Sequence, residues 1–152
     1  MLAIGSDHAA FTFKEEIKAY LTEKGIQFKD FGCHSEERTD YPIYAEKVAN
    51  AIVNGECQRG LLFCGTGIGI SLAANKVPGI RAAVCSNCYT AAMSRQHNDA
   101  NILAIGARVV GIDLAKRIID TWLESEFEGG RHHDRVELIT AIEVKHLKNP
   151  TA

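Results

Sequence analysis

Gly60-Leu61-Leu62-Phe63-Cys64-Gly65-Thr66-Gly67-Ile68-Gly69-Ile70-Ser71 is the stretch on which the reading of the fold turns. Its first half, Gly60–Cys64, is an unbroken apolar run of strand length. Such a run suits a strand buried on both faces of a parallel sheet. Its second half passes through three glycines into a short helical pattern, Ile68–Lys76, which stops at Pro78-Gly79. A strand that turns through glycines into a helix is the start of a β-α unit.

Working outward, the same alternation repeats on both sides. Leu2–Gly5 reads as a strand, and Ala10–Lys24 as a helix with Phe13, Ile17, Tyr20 and Leu21 at helical spacing and Gly25 as its stop. Gln27–Phe31 is a second strand. Tyr41–Asn54 is a helix that tolerates Pro42 in its first turn. Beyond the glycine loop come a strand over Ile80–Cys85, a helix over Tyr89–His97, a strand over Ile102–Ile105, a helix over Ile112–Ser125 and a last helix over Asp134–Leu147. Five β-α repeats predict a three-layer α/β/α sandwich, Rossmann-like, around a five-stranded parallel sheet. One domain over residues 1–152 is expected from the length. In such sheets ligands sit outside the carboxyl ends of the strands. Those ends are Gly5–His8, Phe31–His34, Cys64–Gly69, Cys85–Cys88 and Gly106–Arg108.

Composition narrows the partners. Lys and Arg number 17 against 19 Asp and Glu, a net charge of −2. That balance predicts neither a nucleic-acid nor a membrane partner. An anionic substrate must then be held by a local Arg/His cluster. No apolar run approaches the roughly 18 residues of a membrane span, and the N-terminus lacks the pattern of a secretory signal. Five scattered cysteines do not read as a disulfide framework, so the reducing cytoplasm is the expected compartment.

The glycine loop can bring backbone N–H groups close to a phosphate or a developing oxyanion. It also favours negative charge on the adjacent Cys64 sulfur. The plainer alternative is a tight turn beside a buried cysteine. Its G-x-G-x-G spacing, with no acid after the fourth strand, disfavours a dinucleotide site. Asp7-His8 can meet sugar hydroxyls or phosphate, or form a helix cap. His97, in Arg95-Gln96-His97-Asn98-Asp99, has the neutral-range titration of a general acid or base, or belongs to a helix C-cap. Arg131 and Arg135 share a face if they open a helix, a pairing suited to phosphate, or they decorate a solvated turn. Tyr41 can line the site or staple its helix. Cys85-Ser86-Asn87-Cys88 is a lone C-x-x-C and is assigned no function.

These segments together resemble the type B ribose-5-phosphate isomerase family, which also holds allose- and galactose-6-phosphate isomerases. The matching stretches are Gly5–His8, Glu37–Pro42, Cys64–Ser71 with Ala73–Lys76, Ser94–Asn98, Arg108–Gly111 and Glu128–Arg135, nearly the whole chain. The resemblance implies interconversion of ribose 5-phosphate and ribulose 5-phosphate through an enediolate, in the pentose phosphate pathway. Allose 6-phosphate turnover and a non-catalytic sugar-phosphate module are the alternatives. It implies no metal or organic cofactor, and a homodimer or dimer of dimers whose active sites are each built from two subunits. It makes Cys64 the base that carries the proton, with Thr66 and His97 assisting ring opening. Asp7, Tyr41 and Asn98 contact the sugar. His8, Arg108, Arg131 and Arg135 hold the phosphate. The amides of Gly65, Thr66, Gly67, Ile68 and Gly69 stabilise the enediolate. One branch of that family uses a loop glutamate as base. Gly65–Ser71 has no carboxylate and position 70 is Ile70, which leaves Cys64 as the loop's base candidate.

Overall fold

A computed structural model describes residues 1–148. The last four positions of the expected domain, 149–152, lie outside the described residues. The strands are β1 (Leu2–Ser6), β2 (Phe28–Asp30), β3 (Arg59–Cys64), β4 (Ala82–Val84) and β5 (Ile102–Gly106). The helices are α1 (Phe11–Glu23), α2 (Tyr41–Val53), α3 (Ile68–Ala74), α4 (Cys88–Gln96), α5 (Ile112–Glu124) and α6 (Arg131–Lys148). One 3-10 turn, His8–Ala10, leads into α1. The five strands form a wholly parallel sheet in the order β2-β1-β3-β5-β4.

Alternation along the strands divides the core in two. Leu2, Ile4, Leu61, Phe63, Leu103 and Ile105 pack under α1, α4 and α5. Ala3, Leu62, Cys64, Ile102 and Ala104 pack under α2 and α3. The sheet is thus covered on both faces, the arrangement expected of a βαβ chain. α1 leaves β1 toward one face, and α3 leaves the neighbouring β3 toward the other. The chain reverses its winding between these two strands, which opens a crevice at their carboxyl ends.

Lys14 of α1 is wholly buried. Its ammonium donates to both carboxylate oxygens of Asp30, at 2.7 and 2.6 Å. Lys18 and the Gly32 amide donate to the same carboxylate. Burial alone would raise the Asp30 carboxyl. The hydrogen bonds from Lys14, Lys18 and Gly32 outweigh it and hold the group below the usual carboxylate range. Stability from this pair is therefore present at neutral pH and lost as pH falls through the depressed Asp30 value. Asp30→Asn leaves a buried ammonium without its counter-charge, and is expected to cost about 3 kcal/mol in urea unfolding at pH 7. The difference from wild type should shrink in acid, where the native carboxylate is itself protonated.

Candidate active site

Cys64 ends β3 and is 4% exposed. The chain turns directly after it, so that the Gly67 amide donates to the Cys64 sulfur at 3.1 Å. This donor favours a negative sulfur. The Ile68 amide donates to Thr66 Oγ1 at 3.2 Å. Two of the five amides expected to face an enediolate are thus turned onto the loop's own side chains. The rest of the loop leans on the end of β5: Ala107 N donates to Cys64 O, and Arg108 N to Gly65 O. The two segments touch backbone to backbone. A Cβ at Gly106 would stand 2.5 Å from the Thr66 carbonyl oxygen. Gly106→Ala must therefore push the loop away from β5. We expect about a 10²-fold fall in kcat with an unchanged circular dichroism spectrum, measured by steady-state kinetics beside a thermal melt.

Other expected residues gather at this same edge. Asp7 is 7% exposed and caps the 3-10 turn, accepting from Ala10 N at 3.3 Å. The cap reading of Asp7 is realised, and its Oδ2 is not used by that bond. His8 Nδ1 meets the backbone of Thr39, whose amide lies 3.1 Å away, which ties the segment before α2 to the crevice. Tyr41 opens α2 and lays its ring over Gly69, where a Cβ would come within 2.6 Å of the ring. The Arg108 guanidinium lies against Gly65.

The remaining candidates lie elsewhere. α4 starts beyond the carboxyl end of β4 and runs back along the sheet, so His97 and Asn98 come level with the start of β4. Arg81, just before β4, donates from Nε to the carbonyls of Asn98 and Asp99, both at 3.1 Å, and its amide donates to Asn101 Oδ1 at 2.8 Å. Ile102 pairs with Ala82, whereas Cys64 pairs with Gly106 at the other end of β5. Four residues of strand separate the two levels, about 13 Å, and the nine residues of α4 span a similar length. His97 and Asn98 therefore lie away from the carboxyl ends of the strands, just before β5, where the helix-end position of Arg95–Asp99 puts them.

Arg131 and Arg135 belong with His97. The last helix begins at Arg131, three residues before the expected Asp134, because the Gly129-Gly130 turn lets the chain enter it sooner. The two arginines are exposed on its first turns, four residues apart. His132, between them, is 6% exposed and stacks on His97, with ring centroids 4.1 Å apart and planes 9° from parallel. Glu128 Oε2 lies 3.6 Å from His132 Nε2 and 4.0 Å from His97 Nε2. Sequence reading passed over Glu128 and His132 as site residues. The i, i+4 spacing of these two was the available signal. Their donor atoms and that of His97 lie within 4.8 Å of one another. A metal shared by both rings would stand about 2 Å out of each ring plane, whereas an imidazole binds a metal in its plane. The cluster instead places one carboxylate beside the Nε2 atoms of two stacked rings.

Fold and crevice define an α/β protein with a buried thiol at the sheet's switch point, cradled by a glycine turn. The sequence pattern described as Ribose/Galactose Isomerase matches residues 2–139. Ribose-5-phosphate isomerase B of Escherichia coli is 59% identical over 142 residues, 93% of this chain and 95% of that protein. D-erythrulose-4-phosphate isomerase of Pectobacterium atrosepticum is 48% identical over 139 residues, 91% of each. The solved structure of Clostridium thermocellum ribose-5-phosphate isomerase B superposes with a TM-score of 0.94 at 59% identity, over 95% of this chain and 98% of that one. The chain belongs to the ribose/galactose isomerase family.

Proposed function

We propose that the protein is an aldose–ketose isomerase that interconverts ribose 5-phosphate and ribulose 5-phosphate. The observation that carries this reading is the Cys64 thiol at the switch point, with a backbone amide on its sulfur and glycine-loop backbone beside it. As thiolate, Cys64 takes the proton from C2 of the open aldose. The electron pair forms the C1=C2 bond of an enediolate, whose negative charge rests on oxygen near the loop amides. The same thiol returns the proton to C1, while the O2 hydroxyl proton passes to O1, so that C2 becomes the ketone and C1 the hydroxymethyl group. Before that, the furanose must open: the ring C–O bond breaks, the ring oxygen gains a proton and the anomeric hydroxyl loses one. His97 and Thr66 serve this step. Asp7, Tyr41 and Asn98 orient the sugar, and His8, Arg108, Arg131 and Arg135 hold the remote phosphate.

Two copies of the chain complete one site. His97, Asn98, Arg131 and Arg135 of one copy meet the Cys64 crevice of the other, because one chain holds these groups at opposite edges of its sheet. Exposed apolar side chains on α3 (Ile68, Leu72) and α6 (Leu138, Ile142) supply surface for such a contact. We place the enzyme in the cytoplasm, where its five free cysteines would stay reduced. Among the described residues no helix is long and apolar enough to cross a membrane.

The test is turnover of the purified chain on ribose 5-phosphate and allose 6-phosphate side by side. Preference for ribose 5-phosphate is expected; turnover of neither sugar overturns the reading. The erythrulose 4-phosphate relative makes a four-carbon substrate a useful third arm, because the C4 oxygen carries the phosphate and no furanose can form.

A further inference from the structure

Ring opening needs a group that both gives and takes a proton, and two neighbours, His132 and Glu128, surround His97. His132 is buried, and its ring covers one face of the His97 ring. Glu128 is half exposed and sits beside the Nε2 atoms of both rings. The arrangement is built into the backbone. Glu128 N donates to Gln96 O at 3.0 Å, which ties the segment before α6 to the last turn of α4. His132 N donates to Gly129 O at 3.1 Å, closing the turn that swings His132 onto His97. On the α4 side, Arg95 Nη1 donates to Asp99 Oδ1 at 2.9 Å and to Ala100 O at 2.6 Å, and Asp99 takes φ +47°. The turn that presents His97 is therefore held from two elements.

Resting on the isomerase reading above, we propose that His132 and Glu128 are positioning residues for His97. The His132 ring fixes the plane of the His97 ring. The Glu128 carboxylate gives the stacked pair one counter-charge, so the pair holds a single proton that His97 exchanges with the sugar.

Charge supports this division of labour. Two imidazolium rings stacked at this distance repel, while one imidazolium beside one carboxylate is neutral as a unit. His132 faces His97 from α4, Arg131 and Arg135 from its own helix, and Glu128 from the turn before it. Burial, then the His97 and Arg131 charges and more weakly Arg135, push the His132 ring below its ordinary value, with Glu128 opposing them. His132 is then uncharged at neutral pH, so its ring packs on His97 without adding a second positive charge. During ring opening the sugar receives a proton on its ring oxygen and surrenders one from the anomeric hydroxyl. The trio ends with the proton count it began with.

The test compares wild type, Glu128→Gln and His132→Asn on ribose 5-phosphate, which must be opened, and on erythrose 4-phosphate, which cannot close a furanose. Both variants should lose about 10-fold or more in kcat on ribose 5-phosphate and much less on the four-carbon sugar. Glu128→Gln keeps the side-chain shape on an exposed turn, so it reports on charge if His132→Asn fails to fold. Without the carboxylate the trio binds its proton less tightly. The acid limb of the ribose 5-phosphate profile should accordingly move to lower pH in Glu128→Gln. Equal losses on both sugars, or an unmoved pH profile, would overturn the positioning role while leaving the isomerase reading intact. A wild-type protein inert on ribose 5-phosphate would instead sink that reading.

Discussion

Replacing Cys64 with alanine is expected to cut kcat on ribose 5-phosphate roughly 10³- to 10⁴-fold, with the fold retained. The loss is chemical because the glycine loop holds no second base. Gly65–Ser71 carries no carboxylate, and His97 lies at the far edge of the sheet in the same chain. Cys64→Ser is a sharper companion. A serine hydroxyl keeps the shape and can accept from the Gly67 amide, yet it is a far poorer base at neutral pH. Both variants should therefore be nearly inactive. The fold should survive because Cys64 sits among many other apolar residues under α2 and α3, so losing one sulfur costs about 1 kcal/mol. Steady-state kinetics beside a urea melt would separate the two effects. Near-normal turnover in the alanine variant would remove Cys64 from the mechanism.

The second large effect comes from mixing two inactive proteins. Cys64→Ala and His97→Asn should each be impaired alone. Unfolded together and refolded, they should recover about a quarter of wild-type activity. The arithmetic follows from a site shared across a two-fold axis. Half of the random dimers are mixed, and each mixed dimer holds one site with both substitutions and one site with neither. If Cys64 and His97 of a single chain worked together, mixing would restore nothing. The structure motivates this experiment directly, because one chain keeps the two side chains about a helix length apart. Mixing Cys64→Ala with Arg131→Ala should behave in the same way, since Arg131 sits with His97 through the His132 stack.

Much of the fold was legible because burial writes itself into sequence. Gly60–Cys64 is apolar throughout since both sheet faces are covered there, and the structure extends it only to Arg59. The edge strands are shorter than their apolar patterns predict. Gln27–Phe31 shortens to Phe28–Asp30, and Ile80–Cys85 to Ala82–Val84. Each has a single ladder partner, and the pattern of apolar residues cannot see where that pairing stops. The start of α6 was missed for a different reason. Arg131, His132 and His133 are polar and sit against the helix dipole, so they read as a turn. In the structure His132 is buried by His97, a contact between residues 35 positions apart.

The β-α alternation, the parallel sheet and the thiol-and-glycine loop at a strand end are written in the linear chain. Each is a local matter: periodicity, apolar run length and the backbone freedom of glycine act over a few neighbouring residues. How the candidates divide between edges emerges in three dimensions. Cys64, Thr66, Asp7, His8, Tyr41 and Arg108 share the carboxyl edge, while His97, Asn98, Arg131 and Arg135 stand about 13 Å away at the other. The physical reason is that a helix returns the chain across the sheet. Where it ends depends on its length and packing, so a residue's place in the sequence does not say which edge its side chain serves.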